Sequence, residues 1–263
     1  QLKRFYKKVK SLKIGLRINP KVSYSNYDLA DPARKFSRLG VIDKKSISSI
    51  IDLISGAMFH FNCENDNFLN FSSNLDYISN QYKDILEKLE WVSLGGGIYF
   101  TKENYPVDDF WKKIKELSKK FNVQVYLEPG EAVITNTTEL VTKILDIVHN
   151  EIDIAIVDAS TEAHMLDLLI YRTPAKIYPN KGKYKYIIAG RSCLAGDVFG
   201  IYNFDKKLKV GMTIRIQDAG GYTIVKKNWF NGLNMPSIAV KKLDGTIKLI
   251  KSFNYKDYLN NLS

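Results

Sequence analysis

Short apolar runs alternate with amphipathic stretches along the first half of the chain. The runs are too short for buried helices, which predicts strands. The stretches between them repeat apolar residues at helical spacing, and Ser46 is predicted to cap the first of these helices. This order predicts four βα units and a parallel sheet. The predicted strands are residues 13–19, 57–61, 91–94 and 123–127.

The pattern changes from about residue 132. Short β-branched runs then follow one another between glycine and aspartate turns, which predicts a mostly antiparallel β domain. We therefore predict two domains, residues 1–132 and residues 133–263. The predicted strands of the second domain are 138–147, 152–158, 184–189, 212–217, 222–225 and 246–250.

Polar and glycine-rich features lie at the C-terminal ends of the predicted strands, where α/β folds place their sites. Gly95, Gly96 and Gly97 follow the third strand, and Glu128 and Gly130 follow the fourth. Glycines allow a sharp bend and a close approach of backbone amides to an anion, which suits a phosphate. The alternative is a tight turn without a ligand.

Five side chains are candidates for chemistry. Glu128 could keep a heterocyclic nitrogen protonated, or it could simply cap a backbone amide. His60 ends an apolar strand, where a buried structural histidine is the alternative. Cys193 is surrounded by turn residues, which favours an exposed thiol that can move a proton over a packing cysteine. Asp197 could bind a cationic group, and the Tyr222 hydroxyl could donate to a phosphate.

The net charge of +11 comes from 39 basic and 28 acidic residues. The lysines are spread over the chain without an arginine-rich run between aromatics, which favours a solvated surface over a nucleic-acid site. No apolar run approaches the ~20 residues of a membrane helix, and the first residues lack the apolar region of a signal peptide. We expect neither nucleic acid nor a membrane as a partner.

Cysteine and histidine usage narrows the expectations further. Cys63 and Cys193 cannot form a disulfide framework, which favours reduced thiols in a cytoplasmic protein. The histidines His60, His149 and His164 are too far apart in sequence for a local metal motif, so we expect no metal.

Taken together, these residues resemble the alanine-racemase-like (fold III) decarboxylases that use pyridoxal phosphate, and most closely the members that make polyamines. The resemblance implies an α/β plus β fold: the second half of a (β/α)8 TIM-like barrel, then a mostly antiparallel β-barrel or sandwich. The matching segments run through the chain in family order. They are residues 15–20, 37–40, 60–64, 95–97, 128–131, 158–167, 192–197 and 220–232.

The resemblance also implies roles for these residues in binding pyridoxal 5′-phosphate. Glu128 would pair with the pyridine nitrogen, and His60 would stack on the ring. Cys193 would donate a proton to the carbon that loses carbon dioxide, and Asp197 would bind the substrate amine. Both would act in the partner subunit of a homodimer. The phosphate would be bound by Gly95, Gly96, Gly97, Gly130 and Tyr222.

Two departures from the family pattern matter. Many relatives have arginine after Glu-Pro-Gly, where this chain has Glu131, which favours a cationic, polyamine-like substrate. Arg38 and His164 are further candidates for substrate binding. Only four βα units are predicted where a barrel needs about eight, and no lysine matches the family's Schiff-base lysine. We therefore expect a further N-terminal segment to carry that lysine.

Three alternatives stay open at this point. One is another basic amino-acid decarboxylase of the diaminopimelate or ornithine type. The second is a catalytically inactive regulatory homologue, which the joint presence of Glu128, Cys193 and Asp197 disfavours. The third is a basic nucleic-acid binder, whose binding would depend on salt.

Overall fold

The computed structural model describes residues 2–9 and 11–262, and the chain forms two compact units that divide between Val133 and Ile134. Within these residues, no helix is both long and apolar enough to cross a membrane. The elements of the first unit are α1 (Leu2–Val9), β1 (Gly15–Arg17), β2 (Tyr24–Ser25), α2 (Lys44–Ser48), β3 (Gly56–Met58), β4 (Asn62–Cys63), α3 (Phe68–Gln81), α4 (Lys83–Leu86), β5 (Trp91–Ser93), α5 (Val107–Phe121) and β6 (Gln124–Tyr126).

The first unit is built on a four-stranded parallel sheet in the order β1-β3-β5-β6. Helices α3 and α5 bury the apolar faces that their sequence spacing predicts. Phe71 of α3 belongs to an aromatic cluster, with its ring 5.8 Å from Phe61 and 4.9 Å from Phe110. The predicted α/β architecture of this half is confirmed.

Helix α2 begins one turn earlier than the sequence predicted. The Asp43 carboxylate caps it by accepting from the amides of Lys45 and Ser46, at 3.3 and 2.8 Å. The prediction of a Ser46 cap is therefore wrong, because an acidic residue three positions earlier already satisfies the first amides of the helix.

Trp91 closes one end of the parallel sheet. Its indole lies over Gly56 of the adjacent strand β3 and over Gly15 of β1, the strand beyond it, and its Nε1 donates to Ser55 Oγ at 3.2 Å. A Cβ at Gly15 or at Gly56 would lie only 2.2 or 2.1 Å from the ring. Glycine is therefore required at these positions for space, so that the ring can pack flat on the backbone.

The second unit is a mostly antiparallel β unit, which confirms this part of the fold prediction. One five-stranded sheet has the order β10-β9-β8-β7-β11, in which only β8 and β9 pair in parallel. Its elements are β7 (Glu139–Asn150), β8 (Ile152–Val157), α6 (Thr161–His164), α7 (Leu166–Tyr171), β9 (Tyr184–Ala189), β10 (Val198–Phe204), β11 (Thr213–Gln217), α8 (Tyr222–Lys226), β12 (Ile238–Lys241), β13 (Ile247–Lys251) and α9 (Tyr255–Leu262).

The strand predicted at 222–225 is wrong, because these residues form helix α8. Gly221 turns the chain with a φ of 56°, and the Thr223 amide then donates to the Gly220 carbonyl at 3.1 Å. A short β-branched run does not by itself distinguish a strand from a single helical turn.

The contact between Trp91 and Gly56 predicts that Gly56→Ala destabilises the protein. The added methyl group must displace the indole, and such overpacking costs about 1–3 kcal/mol. We expect a lower midpoint of urea unfolding followed by circular dichroism. Gly196→Ala is the control, because nothing lies within 4 Å of a Cβ there. Equal midpoints for the two variants would contradict the packing argument.

Candidate active site

The parallel register aligns the C-terminal ends of four strands. Arg17 pairs with Met58, Met58 with Ser93, and Ser93 with Tyr126. The pairing continues beyond the strands, because the Glu128 amide donates to the Gly95 carbonyl at 2.9 Å. Because side chains alternate along a strand, residues two positions apart face the same side. His60, Gly95 and Glu128 therefore follow the aligned row on one edge of the sheet.

Glu128 is held in place by Ser93. The Ser93 hydroxyl donates to Glu128 Oε1 at 2.5 Å, and it accepts from the Gly95 amide at 3.2 Å. Ser93 itself is buried. A buried hydroxyl that contacts both the glycine loop and the carboxylate fixes their relative position.

The three successive glycines are packed against their neighbours. A Cβ at Gly95, Gly96 or Gly97 would lie 2.2–2.3 Å from His60 Nδ1, the Glu128 carbonyl or the Asn62 carbonyl, respectively. Gly95 and Gly97 also have φ values of 69° and 77°, which favour glycine. This close packing brings the loop, the histidine and the acid together.

The hydrogen bonds of the loop correct one part of the prediction. The Gly95 amide donates to Ser93 Oγ, and the Gly96 amide donates to His60 Nδ1 at 3.3 Å. These two amides are thus used within the protein and are not directed at a phosphate. Among the predicted phosphate ligands of the first unit, Gly97 and Gly130 remain candidates.

His60 is half-buried beside the glycine loop. Burial lowers its pKa, and the Arg17 cation lowers it further, against the opposing effect of Glu128. The imidazole is therefore neutral at neutral pH. Because Nδ1 accepts from the Gly96 amide, the proton lies on Nε2.

Arg17 is a site residue that sequence reasoning missed. It lies at the end of β1 in the row of Ser93, and burial lowers its pKa while the Glu128 carboxylate opposes the shift. The predicted candidate Arg38 is exposed, and its positive charge further lowers the pKa of Arg17. Three residues after Arg38, the chain pairs with the end of β1: the Val41 amide donates to the Arg17 carbonyl at 2.9 Å. Position at a strand end was the available signal for Arg17.

Glu131 lies in an acidic part of this unit. The Tyr99 hydroxyl donates to Glu131 Oε2 at 3.3 Å. Burial, Glu64 and Glu131 together raise the pKa of Tyr99. Burial and then the Glu64 carboxylate raise the pKa of Cys63 to about 11. The phenol and the thiol are therefore both neutral next to the two carboxylates.

Cys193 and Asp197 lie in the connection between β9 and β10 of the second unit. Cys193 is exposed, as predicted, whereas Asp197 is only 3% exposed. The Asp197 carboxylate accepts from the Thr161 amide and hydroxyl at 2.7 and 2.8 Å and from the Ser192 amide at 3.0 Å. The predicted role of Asp197 in binding a substrate amine is corrected, because its oxygens are buried and already satisfied.

His164 needs the same correction. It is 4% exposed, its Nδ1 accepts from the Ser160 amide at 3.1 Å, and its Nε2 lies 3.1 Å from the Asn234 carbonyl. Both ring nitrogens thus bind backbone, and the side chain is structural rather than substrate-binding. Tyr222, by contrast, is 61% exposed at the start of α8, with Lys226 Nζ 5.1 Å from its ring.

Among the described residues, no group of three or more histidine, cysteine, aspartate or glutamate side chains could hold a metal ion.

Comparison with known proteins identifies the class that this fold and these residues define. The family described as pyridoxal-dependent decarboxylase, C-terminal sheet domain, matches residues 25–220. The carboxynorspermidine/carboxyspermidine decarboxylase of Herminiimonas arsenicoxydans is 50% identical over all of this chain, which covers 72% of that protein. The Campylobacter jejuni protein of the same name is 37% identical over 98% of this chain and 71% of its own length.

A solved structure agrees with this result. The crystal structure of carboxynorspermidine decarboxylase from Campylobacter jejuni, complexed with norspermidine, superposes with a TM-score of 0.89 at 35% identity, covering 99% of this chain and 72% of that one. This chain belongs to the pyridoxal-dependent decarboxylases. The resemblance to this family that was seen in the sequence is confirmed, and the protein belongs to a class of enzymes.

The residues present fit a pyridoxal phosphate cofactor. Nothing lies within 4 Å of a Cβ at Gly130, so the backbone two residues after Glu128 is open to a ligand. Ser93 holds the carboxylate that can keep a pyridine nitrogen protonated.

The buried His164 predicts a loss of stability in acid. Burial lowers its pKa in the folded protein, so the unfolded chain binds more protons between the two pKa values. The free energy of unfolding therefore falls as the pH drops below about 6.5, the unfolded-state pKa of histidine. We expect the urea midpoint of the wild type to fall more steeply below that pH than the midpoint of His164→Gln.

His149→Gln is the matched control for this measurement. His149 is exposed and lies 2.8 Å from Asp153, where solvent keeps such a pair weak. Its replacement should leave the pH slope close to that of the wild type. A wild-type slope in His164→Gln would show that another group causes the acid sensitivity.

Proposed function

We propose that this protein decarboxylates carboxynorspermidine or carboxyspermidine with pyridoxal 5′-phosphate and releases norspermidine or spermidine. The observation that carries the proposal is the parallel register at the strand ends. It brings Arg17 and Ser93 together with His60 and Glu128, which lie two residues beyond the ends of β3 and β6. The two polyamine-forming relatives support the substrate class.

The cofactor, when bound, supplies an electron sink for the electron pair left by carbon dioxide. Glu128 would pair with its pyridine nitrogen and keep that nitrogen protonated, and Ser93 orients the Glu128 carboxylate. The neutral His60 ring would pack against the cofactor, because an uncharged imidazole costs less to bury than a cation. Gly97, Gly130 and Tyr222 would hold the phosphate.

Cys193 completes the reaction as the proton donor. The bond between the substrate carbon and its carboxylate breaks, carbon dioxide leaves, and the carbon takes a proton from the Cys193 thiol. Water then returns a proton to the thiolate. The exposure of Cys193 on an ordered loop supports this role. In a homodimer, this thiol acts in the partner subunit's site.

Glu131 selects the substrate. Polyamine precursors carry ammonium groups far from the reacting carbon, and carboxylates bind such cations. Glu131 and Glu64 both act on Tyr99, whose neutral phenol bridges to Glu131 without adding charge. Arg38 lies near Arg17 and is proposed to contact the substrate carboxylate.

Further features of the assembly belong to the same proposal. β1 and β6 are the outer strands of the four-stranded parallel sheet, and we propose that this sheet is half of an eight-stranded barrel. The free cysteines Cys63 and Cys193 support a cytoplasmic protein.

The proposal predicts release of carbon dioxide from carboxynorspermidine or carboxyspermidine by the full-length holoenzyme, with little release from meso-diaminopimelate. Loss of a general acid typically costs about 10²–10⁴-fold, so Cys193→Ala should lower amine formation by at least about 100-fold. Cys193→Ser keeps a weaker acid at this position, so its rate of amine formation should lie between those of the wild type and Cys193→Ala. No release from any of these substrates would favour an inactive homologue, and a preference for meso-diaminopimelate would overturn the polyamine assignment.

Charge reversal at Glu131 should change substrate preference. Glu131→Arg replaces an attraction with a repulsion, and we expect kcat/KM for carboxynorspermidine to fall by about 10- to 100-fold, or about 1.4–2.8 kcal/mol. The ratio of activities should move towards the diacid. Glu116→Arg, on the exposed face of α5, is the control and should leave that ratio unchanged. An unchanged ratio in Glu131→Arg would remove Glu131 from the substrate site.

A further inference from the structure

We propose that Asn231 and Asp197 are positioning residues that direct the Cys193 thiol, each by holding one of two successive backbone amides. This inference rests on the proposed role of Cys193 as proton donor. It assigns a function to Asn231, which lies in the matching segment 220–232 but has no predicted role, and it replaces the predicted substrate role of Asp197.

The connection between β9 and β10 is closed at its base. The Gly190 amide donates to the Asp197 carbonyl at 2.7 Å, and the Asp197 amide donates to the Leu194 carbonyl at 3.0 Å. A Cβ at Gly190 would lie 2.3 Å from the Asp197 carboxylate, so this side chain fills the inside of the loop. Cys193 remains exposed near the tip.

Two side chains hold adjacent amides at that tip. The Ser192 amide donates to Asp197 Oδ2 at 3.0 Å, and the Cys193 amide donates to Asn231 Oδ1 at 2.8 Å. Together the two bonds restrict the two peptide planes on either side of Ser192. The position of the Cys193 Cα is therefore restricted, and the thiol can reach only the positions that rotation about φ and χ1 of Cys193 allows.

Asn231 has a backbone conformation that suits this task. It adopts φ 57° and ψ 14° within the turn Phe230–Gly232, a left-handed conformation that asparagine tolerates better than most residues. The turn is held by Asn228, whose Oδ1 accepts from the Phe230 amide at 2.7 Å.

Asp197 and the turn that carries Asn231 are both hydrogen-bonded to the same short helix, α6. Asp197 binds the amide and hydroxyl of Thr161, the first residue of α6. Asn228 donates from its amide to the Ala163 carbonyl at 2.8 Å and from Nδ2 to the Glu162 carbonyl at 3.0 Å. One element therefore sets the positions of both amide acceptors.

Proton donation requires such control. The donor must come within hydrogen-bonding distance of the carbon on one face of the substrate, and a displacement of about 1 Å can cost on the order of 10²-fold in rate. An exposed thiol on an unrestrained loop would sample several directions. The two amide bonds thus limit delivery to one face.

The test is decarboxylation of carboxynorspermidine in D₂O by the full-length holoenzyme. The thiol exchanges to S–D, and the product carbon then carries one deuterium, so delivery from one face gives a single enantiomer. Asn231→Gly keeps the left-handed backbone but removes the acceptor. We expect mixed enantiomers by NMR of a chiral amide derivative, a fall in kcat of about 10- to 100-fold, and KM within about twofold.

Conservative and matched variants separate positioning from folding. Asn231→Asp keeps the acceptor oxygen and should restore the single enantiomer. Asn180→Ala is the control, because Asn180 also accepts from a backbone amide, that of Asn203 at 2.8 Å, and it should leave the product stereochemistry unchanged. In the cofactor-free protein, hydrogen exchange of the Cys193 amide should be faster in Asn231→Gly than in the wild type, and it should be unchanged in Asn231→Asp and Asn180→Ala.

The outcomes distinguish this inference from the proposed function. Faster exchange in Asn231→Gly with a single product enantiomer would overturn the positioning role. So would unchanged exchange at the Cys193 amide. A single enantiomer and full rate in Cys193→Ala would instead show that Cys193 is not the donor, whatever Asn231 does.

Discussion

In-register pairing of four short parallel strands is the constraint on which the candidate active site depends. It puts Arg17 and Ser93 in one row and carries His60 and Glu128 to the same edge two residues later. A slip of one residue in any strand would turn its functional side chain to the opposite face. The flat packing of Trp91 on glycine backbone helps to fix this register at the other end of the strands.

The features that could be predicted from the sequence are those set by local chemistry. Short apolar runs and helical spacing located the βα units because burial on one face imposes the same period in any context. The glycine loop at 95–97 and the acid Glu128 stood out because they interrupt apolar runs at strand ends. Exposure of Cys193 followed from the polar turn residues around it.

The features that could not be predicted depend on partners far away in the sequence. Asp197 binds Thr161, 36 residues away, and His164 binds a carbonyl 70 residues away. The sequence gives no sign of either contact, so both side chains were predicted to be available for a substrate. The internal use of the Gly95 and Gly96 amides likewise depends on side chains of the folded sheet. Arg17 was missed because the predicted strand ran to residue 19, which placed this charged residue inside the strand, whereas β1 ends at Arg17.

Asp197 and Asn231, which hold the two amides at the tip of the Cys193 loop, are both anchored to α6, and this has a mechanical consequence. A loop attached at one point can tilt, whereas two attachments to one rigid body suppress relative rotation and leave only joint displacement. A displacement of α6 therefore carries the tip of the loop with it and preserves the orientation of the Ser192 and Cys193 amides relative to the helix. Ser160, which caps α6 by accepting from the Ala163 amide, thereby becomes part of the alignment of a thiol it does not touch.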